Sequence, residues 1–358
     1  MALQAVILAG GLGTRLRPLT LNRPKPVVPL LNVPFLHHQL ALLATHGVTD
    51  VILSVSHLPD VIRGIVGDGS GAGVRLRYVV EAEPLGTAGG VRNAADLVGG
   101  RVVVLNGDVL TDLDLGAMLA AHEARAAKAS IYLTPVENPT AYGLVELAAD
   151  GRVQRFLEKP TWDEVTTNTI NGGVYVLERE LLDLIPKGQA HSIERDFFPM
   201  LLERRIPFAG YVPRAYWLDI GTTQKYLQAH QDLLDRLVET PVAPPGRRVQ
   251  EGWLDASAEL HSTVRLRAPV AIGPRCRVEK DAVVGPGAVL GAGCRVEAGA
   301  HVESAVIWED VTVGAGARLH GCLVGRGCRI GAHAEVGAGA VLGDGSTICD
   351  YSRIAAAA

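Results

Sequence analysis

The stretch Gly10-Gly11-Leu12-Gly13-Thr14-Arg15-Leu16-Arg17 sets three glycines beside two arginines, and Lys25 follows between two prolines. Backbone without side chains approaches a phosphate closely, and successive N–H groups there form an anion-binding concavity. Arginine adds a planar, permanent positive charge. The chain holds six lysines against 28 arginines, so a lysine inside such a motif carries weight. These residue types at this spacing point to a polyanion, and the expected ligand is a nucleoside triphosphate. Neither common phosphate motif is present. No third glycine falls at the dinucleotide spacing, and no Gly-Lys-Ser/Thr follows. The glycines alone would fit an ordinary strand-to-helix turn. The three cations beside an apolar start are what require an anionic partner.

Further groups with chemistry to offer stand at the ends of apolar runs. Asp108 follows Val102–Leu105 and Asn106-Gly107, and Asp219 follows Trp217-Leu218. Glu81 opens a glycine-rich turn, Glu81-Ala82-Glu83-Pro84-Leu85-Gly86-Thr87-Ala88-Gly89-Gly90. Gly143 lies in Tyr142-Gly143-Leu144-Val145-Glu146, Glu158 and Lys159 in Phe156-Leu157-Glu158-Lys159-Pro160, and Asn171 before Gly172-Gly173. Single aspartates are mostly N-caps or turn residues. Single cations are mostly solvated surface charge. These residues gain force together, not one by one.

The elements that must position them alternate. Short apolar strands are expected at Val51–Ser54, Leu76–Val80, Val102–Leu105, Ser130–Thr134 and Gly173–Leu177, besides Ala5–Leu8. Helices are expected at Phe35–His46, Gly89–Ala95, Leu115–Ala127 and Gln224–Val238. This predicts an α/β domain over residues 1–240, a doubly wound, mainly parallel sheet with helices on both faces. In that architecture ligands sit outside the carboxyl ends of the strands. Pro241-Val242-Ala243-Pro244-Pro245-Gly246-Arg247-Arg248 reads as a linker, taken to span 241–252.

Residues 253–358 are a repeat. Aliphatic residues recur every six positions from Leu254 through Leu260, Leu266, Ile272, Val278, Val284, Leu290 and Val296 to Val302. A step of five gives Ile307, then Val313 and Leu319 follow at six; another step of five gives Val324, then Ile330, Val336, Leu342 and Ile348 at six. Glycine often follows the aliphatic residue, as in Ile272-Gly273. Hexapeptide spacing predicts a parallel β-helix, with one inward aliphatic residue per side. At three sides per turn these positions make roughly five to six coils. Cys276, Cys294 and Cys328 each fall four residues after their aliphatic position, so they should stack in one column. Hexapeptide helices can house acyltransferases that use a histidine. His261, His301, His320 and His333 are isolated, and no long insertion completes an acyl-carrier site.

Hydrophobic residues make up 48% of the chain, enough for two cores, and the formal net charge of −4 argues against nucleic acid or a membrane surface as partner. No apolar run reaches the length of a membrane span, and Met1-Ala2-Leu3-Gln4 lacks the basic segment of a signal peptide. The five cysteines lie in the last quarter without metal-ligand spacing, which fits free thiols in a reducing cytosol. A cytoplasmic location is therefore expected.

The ordered motifs GGLGTRLRPLT, PKP, EPLGTAG, NGD, YGLVE, FLEKP, NGGVYV and WLDIG resemble those of the sugar-1-phosphate nucleotidylyltransferases, most of all the mannose-1-phosphate guanylyltransferase branch. The resemblance covers the whole chain. It implies a doubly wound catalytic domain followed by a left-handed β-helix. It also implies attack of a sugar-1-phosphate oxygen on the α-phosphorus of a nucleoside triphosphate, with pyrophosphate leaving. Many negative charges converge in that reaction, so positioning and neutralisation carry it. By resemblance Arg15 holds the β- and γ-phosphates, and Lys25 reaches the α-phosphate and the incoming sugar phosphate. Leu8, Ala9, Gly10, Gly11, Gly13, Thr14, Glu81, Pro84, Gly86, Thr87 and Asp108 line the nucleotide. Gly143, Glu158, Lys159 and Asn171 hold the sugar phosphate, and Asp108 and Asp219 bind Mg²⁺. Arg17 reads as a residue that fixes the loop. Gly172 departs from the family, which often has alanine there.

Glu81 falls where the family reads the base. Guanine presents two adjacent donors, N1–H and N2, and a carboxylate offers two acceptors to match. Uracil and thymine present a donor between acceptors, which suits glutamine instead. Glu83 is close enough in sequence to be the reader in its place. GTP and mannose-1-phosphate are the expected substrates. The alternatives are a UDP-, dTDP- or ADP-sugar enzyme, or one acting on a related sugar or cyclitol phosphate. An alternative of another class is a non-catalytic, nucleotide-sugar-binding regulatory subunit. Such a protein could lose Arg15, Lys25, Asp108 or Asp219, and all four are present. The open ends of the β-helix favour a homo-oligomer.

Overall fold

Ala5, Val6 and Ile7 are wholly buried, as are Val51–Leu53 and Val102–Val104. Strands apolar on both faces are stable only in a sheet covered on both sides, and these three lie side by side in one. The computed structural model describes residues 3–250 and 252–355. They fall into two compact units. One joins the residues up to Leu12 with Leu36–Trp217; the other joins Gly13–Phe35 with the residues from Leu218 onward.

The first unit is built on a nine-stranded sheet. Its strands are β1 (Gln4–Leu8), β2 (Asp50–Val55), β3 (Arg75–Val80), β4 (Val102–Asn106), β5 (Ala129–Pro135), β6 (Gly143–Leu147), β7 (Val153–Glu158), β8 (Thr169–Leu177) and β9 (Phe208–Tyr211). The order is β3-β2-β1-β4-β8-β5-β9, and the β6–β7 hairpin joins β8 at Ile170. The first four strands are parallel, and β8 runs antiparallel to β4 and β5. The expected α/β sheet is present, with an antiparallel portion added. Leu8 pairs with both Ser54 and Asn106, and Val80 with Val55. One edge of the sheet therefore presents Ala9–Gly11, Ser56, Glu81 and Gly107-Asp108 together.

Two local features differ from the sequence pattern. The helix Gly86–Ala94 starts three residues before the expected Gly89. Its Ala88 and Gly89 N–H groups donate to the His191 carbonyl at 2.9 and 3.1 Å, so the cap comes from a distant segment. In β8 the pairing with β5 jumps from Asn171 to Tyr175, a bulge with Gly173 at φ +74°. A Cβ on Gly172 would lie 2.5 Å from the Tyr132 ring, which accounts for the glycine at this position.

In the second unit the chain winds through six coils. Each coil supplies one short strand to each of three parallel sheets. All seventeen aliphatic positions read from the sequence face the interior cluster, with Ile354 added at the end. Each fully buried Val, Leu or Ile contributes about 1.5–3 kcal/mol of transfer free energy. Cys276, Cys294 and Cys328 stack along one corner, buried, with Val311 between the last two. Arg247–Val249, within the stretch read as a linker, pairs antiparallel with Gly252–Leu254 at the start of the β-helix.

The first unit also seals in a polar cluster. His122, 1% exposed, sets Nδ1 2.8 Å from Ser130 Oγ and Nε2 3.3 Å from Glu178 Oε1. Arg101 Nε donates to the same carboxylate oxygen at 2.8 Å. This order has the connectivity of a serine nucleophile relay. Ser130 is only 2% exposed and lies inside β5, so no substrate reaches it. Burial lowers the His122 pKa below the ordinary histidine value, outweighing the pull of Glu178. The unfolded chain then takes up this proton more readily than the folded one, so stability is full above about pH 6.5 and declines as pH drops below it. Resistance of the wild type to urea should fall between about pH 7.5 and 5.5, and His122→Gln should show a shallower decline. Equal slopes would remove this histidine from the acid response.

Candidate active site

In the first unit the glycine loop leaves β1 at Leu8. The Ala9 N–H donates to the Ser54 carbonyl at 2.8 Å, and Ser56 Oγ donates to the Gly10 carbonyl at 2.7 Å. Nothing lies within 4 Å of a Cβ on Gly11, so that backbone faces open space. Glu81 is 8% exposed. Its Oε1 accepts from Ser54 Oγ at 2.8 Å and its Oε2 from the Leu85 N–H at 2.9 Å. Both partners are donors, one on strand β2 and one on the turn, so together they orient a carboxylate here. Glu83 and Pro84 are exposed. Gly86, at φ +72°, packs its backbone against His191, and Thr87 Oγ1 donates to Glu194 Oε2 at 2.8 Å while accepting from the Ile193 N–H at 2.7 Å.

Asp108 leaves β4 after Gly107, whose N–H donates to the Leu8 carbonyl at 2.9 Å. A Cβ on Gly107 would lie 2.4 Å from that same oxygen, so glycine is required for the approach. Gly143 faces the end of the Phe156 ring, 2.6 Å from where its Cβ would be, with Glu158 Oε2 at 3.1 Å. Lys159 is exposed and holds φ +51°, an uncommon conformation for a side-chain-bearing residue and one that gathers at functional sites. The Asn171 amide is engaged within its own bulge: Oδ1 accepts from the Gly173 N–H and Nδ2 donates to Tyr175 OH, both at 2.9 Å. The Glu158 pKa is raised, mainly by burial and then by the Glu194 charge, with Lys159 and Arg195 opposing.

The second unit holds Gly13, Thr14, Arg15, Lys25 and Asp219. Gly13 turns left-handed at φ +61° and leads into the short 3-10 turn Thr14–Leu16, which leaves Thr14, Arg15 and Arg17 exposed. Thr20 Oγ1 donates to the Gly13 carbonyl at 2.8 Å, and Lys25 Cβ packs 3.2 Å from where a Gly13 Cβ would be. Lys25 is 8% exposed, unusual for a lysine. Arg15 and Asp219 converge on Gly221: a Cβ there would lie 2.8 Å from Arg15 Nη2 and 2.7 Å from Asp219 Oδ2. Asp219 Oδ1 pairs with Lys225 Nζ. Lys225 stands in the first turn of the helix Thr223–Leu234, whose N-cap Thr222 accepts the Lys225 N–H.

Lys225 and Glu194 were not picked out from sequence. Lys225 is one of six lysines and sits six residues after Asp219, which was its available signal. Glu194 had none; it lies on the wide π-type turn Ile193–Phe197, a form common at functional sites. Among the described residues no group of three or more His, Cys, Asp or Glu is placed to cage a metal ion. Mg²⁺ keeps waters and often takes only one or two carboxylates plus phosphates. Asp108 in the first unit and Asp219 in the second are each hard oxygen donors of the type that Mg²⁺ takes, and Asp219 already faces a cation, the Lys225 ammonium. Lys225→Met should destabilise the fold by about 1–2 kcal/mol, because a largely buried carboxylate loses a cation. Adding Asp219→Asn should recover most of that loss in urea titrations. Additive losses would mean that the two side chains do not interact.

Residues 4–236 match the family model described as Nucleotidyl transferase, and residues 266–358 match the one described as GMPPB C-terminal domain. A mannose-1-phosphate guanylyltransferase of Mycobacterium tuberculosis is 39% identical over 285 residues, 79% of this chain and 77% of that protein. A UTP–glucose-1-phosphate uridylyltransferase of Synechocystis is 35% identical, again over 79% of this chain and 77% of that one. HddC from Yersinia pseudotuberculosis, solved in complex with GMP-PN, is similar at a TM-score of 0.56 and 31% identity, covering 65% of this chain and 100% of that one. The match spans the glycine loop, the strand-end carboxylates and the lysines described above. The chain therefore belongs to the nucleotidyl transferase family and is a sugar-1-phosphate nucleotidylyltransferase.

Proposed function

We propose that the enzyme transfers a guanylyl group from GTP to mannose-1-phosphate. A phosphate oxygen of the sugar attacks the α-phosphorus, the bond to the β-phosphate oxygen breaks, and pyrophosphate leaves. Arg15 would neutralise the departing pyrophosphate. Lys25, buried and therefore stiff, would stand at the reacting phosphate. Lys159 would hold the sugar phosphate, with Glu158 accepting from sugar hydroxyls. Asp108 and Asp219 would hold Mg²⁺, which when bound offsets the charge of the phosphates. The protein's own part is to fix charge and orientation before the reaction, the source of most catalysis in phosphoryl and nucleotidyl transfer.

Glu81 carries the base assignment. Two donors orient its carboxylate, and the remaining lone pairs are acceptors only. Guanine's N1–H and N2 groups match acceptors, whereas a pyrimidine carbonyl would meet them as like against like. The likeness to a mannose-1-phosphate guanylyltransferase supports both base and sugar. A UTP and glucose-1-phosphate pairing is the second reading, favoured by the Synechocystis relative.

Pyrophosphate release should be measured with GTP, UTP, dTTP and ATP against mannose- and glucose-1-phosphate. GTP should exceed UTP and dTTP by about tenfold or more, the worth of one mismatched buried hydrogen bond. Equal use of UTP would overturn the base assignment. Asp108→Asn should lower kcat by about 100-fold or more while unfolding at an unchanged temperature. Full activity in that variant would remove Asp108 from the site.

A further inference from the structure

From Ile272 onward, the residue after each inward aliphatic of the first β-helix sheet forms a column: Gly273, Gly291, Trp308, Gly325 and Gly343. Four glycines leave bare backbone, and one tryptophan interrupts them. Trp308 is 1% exposed and heads the fully buried side chains by volume. Its neighbours explain where that volume goes.

The segment Gly13–Phe35 and the helix Thr223–Leu234, both in the same compact unit, lie against this column. At one end Asn32 Nδ2 donates to the Leu290 carbonyl at 2.8 Å and sits 3.1 Å from where a Gly273 Cβ would be. At the other end Pro18 Cβ would lie 3.0 Å from a Gly343 Cβ. Between them the Trp308 indole N–H donates to Tyr226 OH at 3.2 Å, and that hydroxyl donates to the Pro29 carbonyl. The Arg23 guanidinium lies 4.9 Å from the Trp308 ring centre and pairs with Glu309. His230, one turn along the helix from Tyr226, accepts the Leu31 N–H on Nδ1 at 3.3 Å. Gly13–Phe35 has only two 3-10 turns and a pair of two-residue strands of its own. Its position is therefore set by these anchors.

We propose that Trp308 and Glu309 are positioning residues for nucleotidyl transfer, holding through Tyr226 and Arg23 the loop that presents Arg15 and Lys25. The β-helix is on this account a structural part of the triphosphate site. The inference rests on the reading that Arg15 and Lys25 engage the triphosphate, and the experiment separates the two.

Full-length Trp308→Ala, Tyr226→Phe and Glu309→Gln should be compared with the wild type by amide hydrogen exchange and by steady-state kinetics. Tyr226→Phe keeps the ring and removes only the bridging hydroxyl, so it tests the link if Trp308→Ala does not fold. Exchange over residues 13–35 should rise, and KM for the triphosphate should rise about tenfold. KM for the sugar phosphate should rise less than KM for the triphosphate, because Lys159 and Glu158, assigned to the sugar phosphate, lie outside the segment. Arg23→Glu combined with Glu309→Arg should restore both readouts relative to either single change. Unchanged exchange over 13–35 in a folded Trp308→Ala or Tyr226→Phe would overturn the clamp itself. Faster exchange with an unchanged triphosphate KM would instead overturn the role of Arg15 and Lys25 at the triphosphate, and the positioning role with it.

Discussion

Like charges gathered in one place must be held there against their own repulsion. The segment Gly13–Phe35, which carries Arg15, Arg17, Arg23 and Lys25, has almost no secondary structure with which to do it. The fold solves this from outside the segment. Arg23 is answered by Glu309 and the Trp308 ring, Arg15 stands across Gly221 from Asp219, and Lys25 is buried behind Gly13. One phenolic hydroxyl, on Tyr226, joins the indole N–H of the β-helix to a loop carbonyl. Burial pushes its pKa far up, so it stays protonated and can donate and accept at once.

The first unit solves a different problem with the same economy of contacts. The carboxyl ends of β1, β2, β3 and β4 bring backbone and carboxylates to one edge. Close packing there dictates several motif glycines. Gly107 meets the Leu8 carbonyl, Gly143 the Phe156 ring, Gly172 the Tyr132 ring and Gly86 the His191 carbonyl. Each would clash if given a Cβ. Gly11 is the exception, with open space around it. The motif glycines thus have different causes: close packing at Gly107, Gly143 and Gly172, left-handed backbone at Gly13 and Gly86, and open space at Gly11.

The sheet and the repeat were legible because both follow from periodicity. Apolar runs of four or five residues marked β1 to β4, and a spacing of six, twice five, marked seventeen inward aliphatic positions of the β-helix, a series that Ile354 continues. The charged residues were legible as motif members, since lysine is rare here and the motifs come in order. What periodicity cannot carry was not legible. The start of the helix at Gly86 depends on a carbonyl about a hundred residues away, at His191. Asn171 and Thr87 turn out to spend their polar atoms on neighbouring chain. Lys225 and Glu194 gain their places through a helix cap and a wide turn, neither of which has a strong spacing signature. Trp308 follows Ile307 where glycine often follows the inward residue, a signal the repeat did not single out, and only packing shows what it meets.

A solenoid usually gains or loses whole coils freely, because each repeat contacts only its neighbours. Here the column from Gly273 to Gly343 spans four rungs, roughly 19 Å at the usual strand separation. The same distance is bridged by a single short segment, fixed at Asn32 on one end and Pro18 on the other. The two steps of five residues, before Ile307 and Val324, flank the coil that carries Trp308. This stretch of the repeat is therefore gauged: its coil number is matched to a ruler elsewhere in the chain. Adding or removing a coil within that interval would pull Asn32 or Pro18 off its contact.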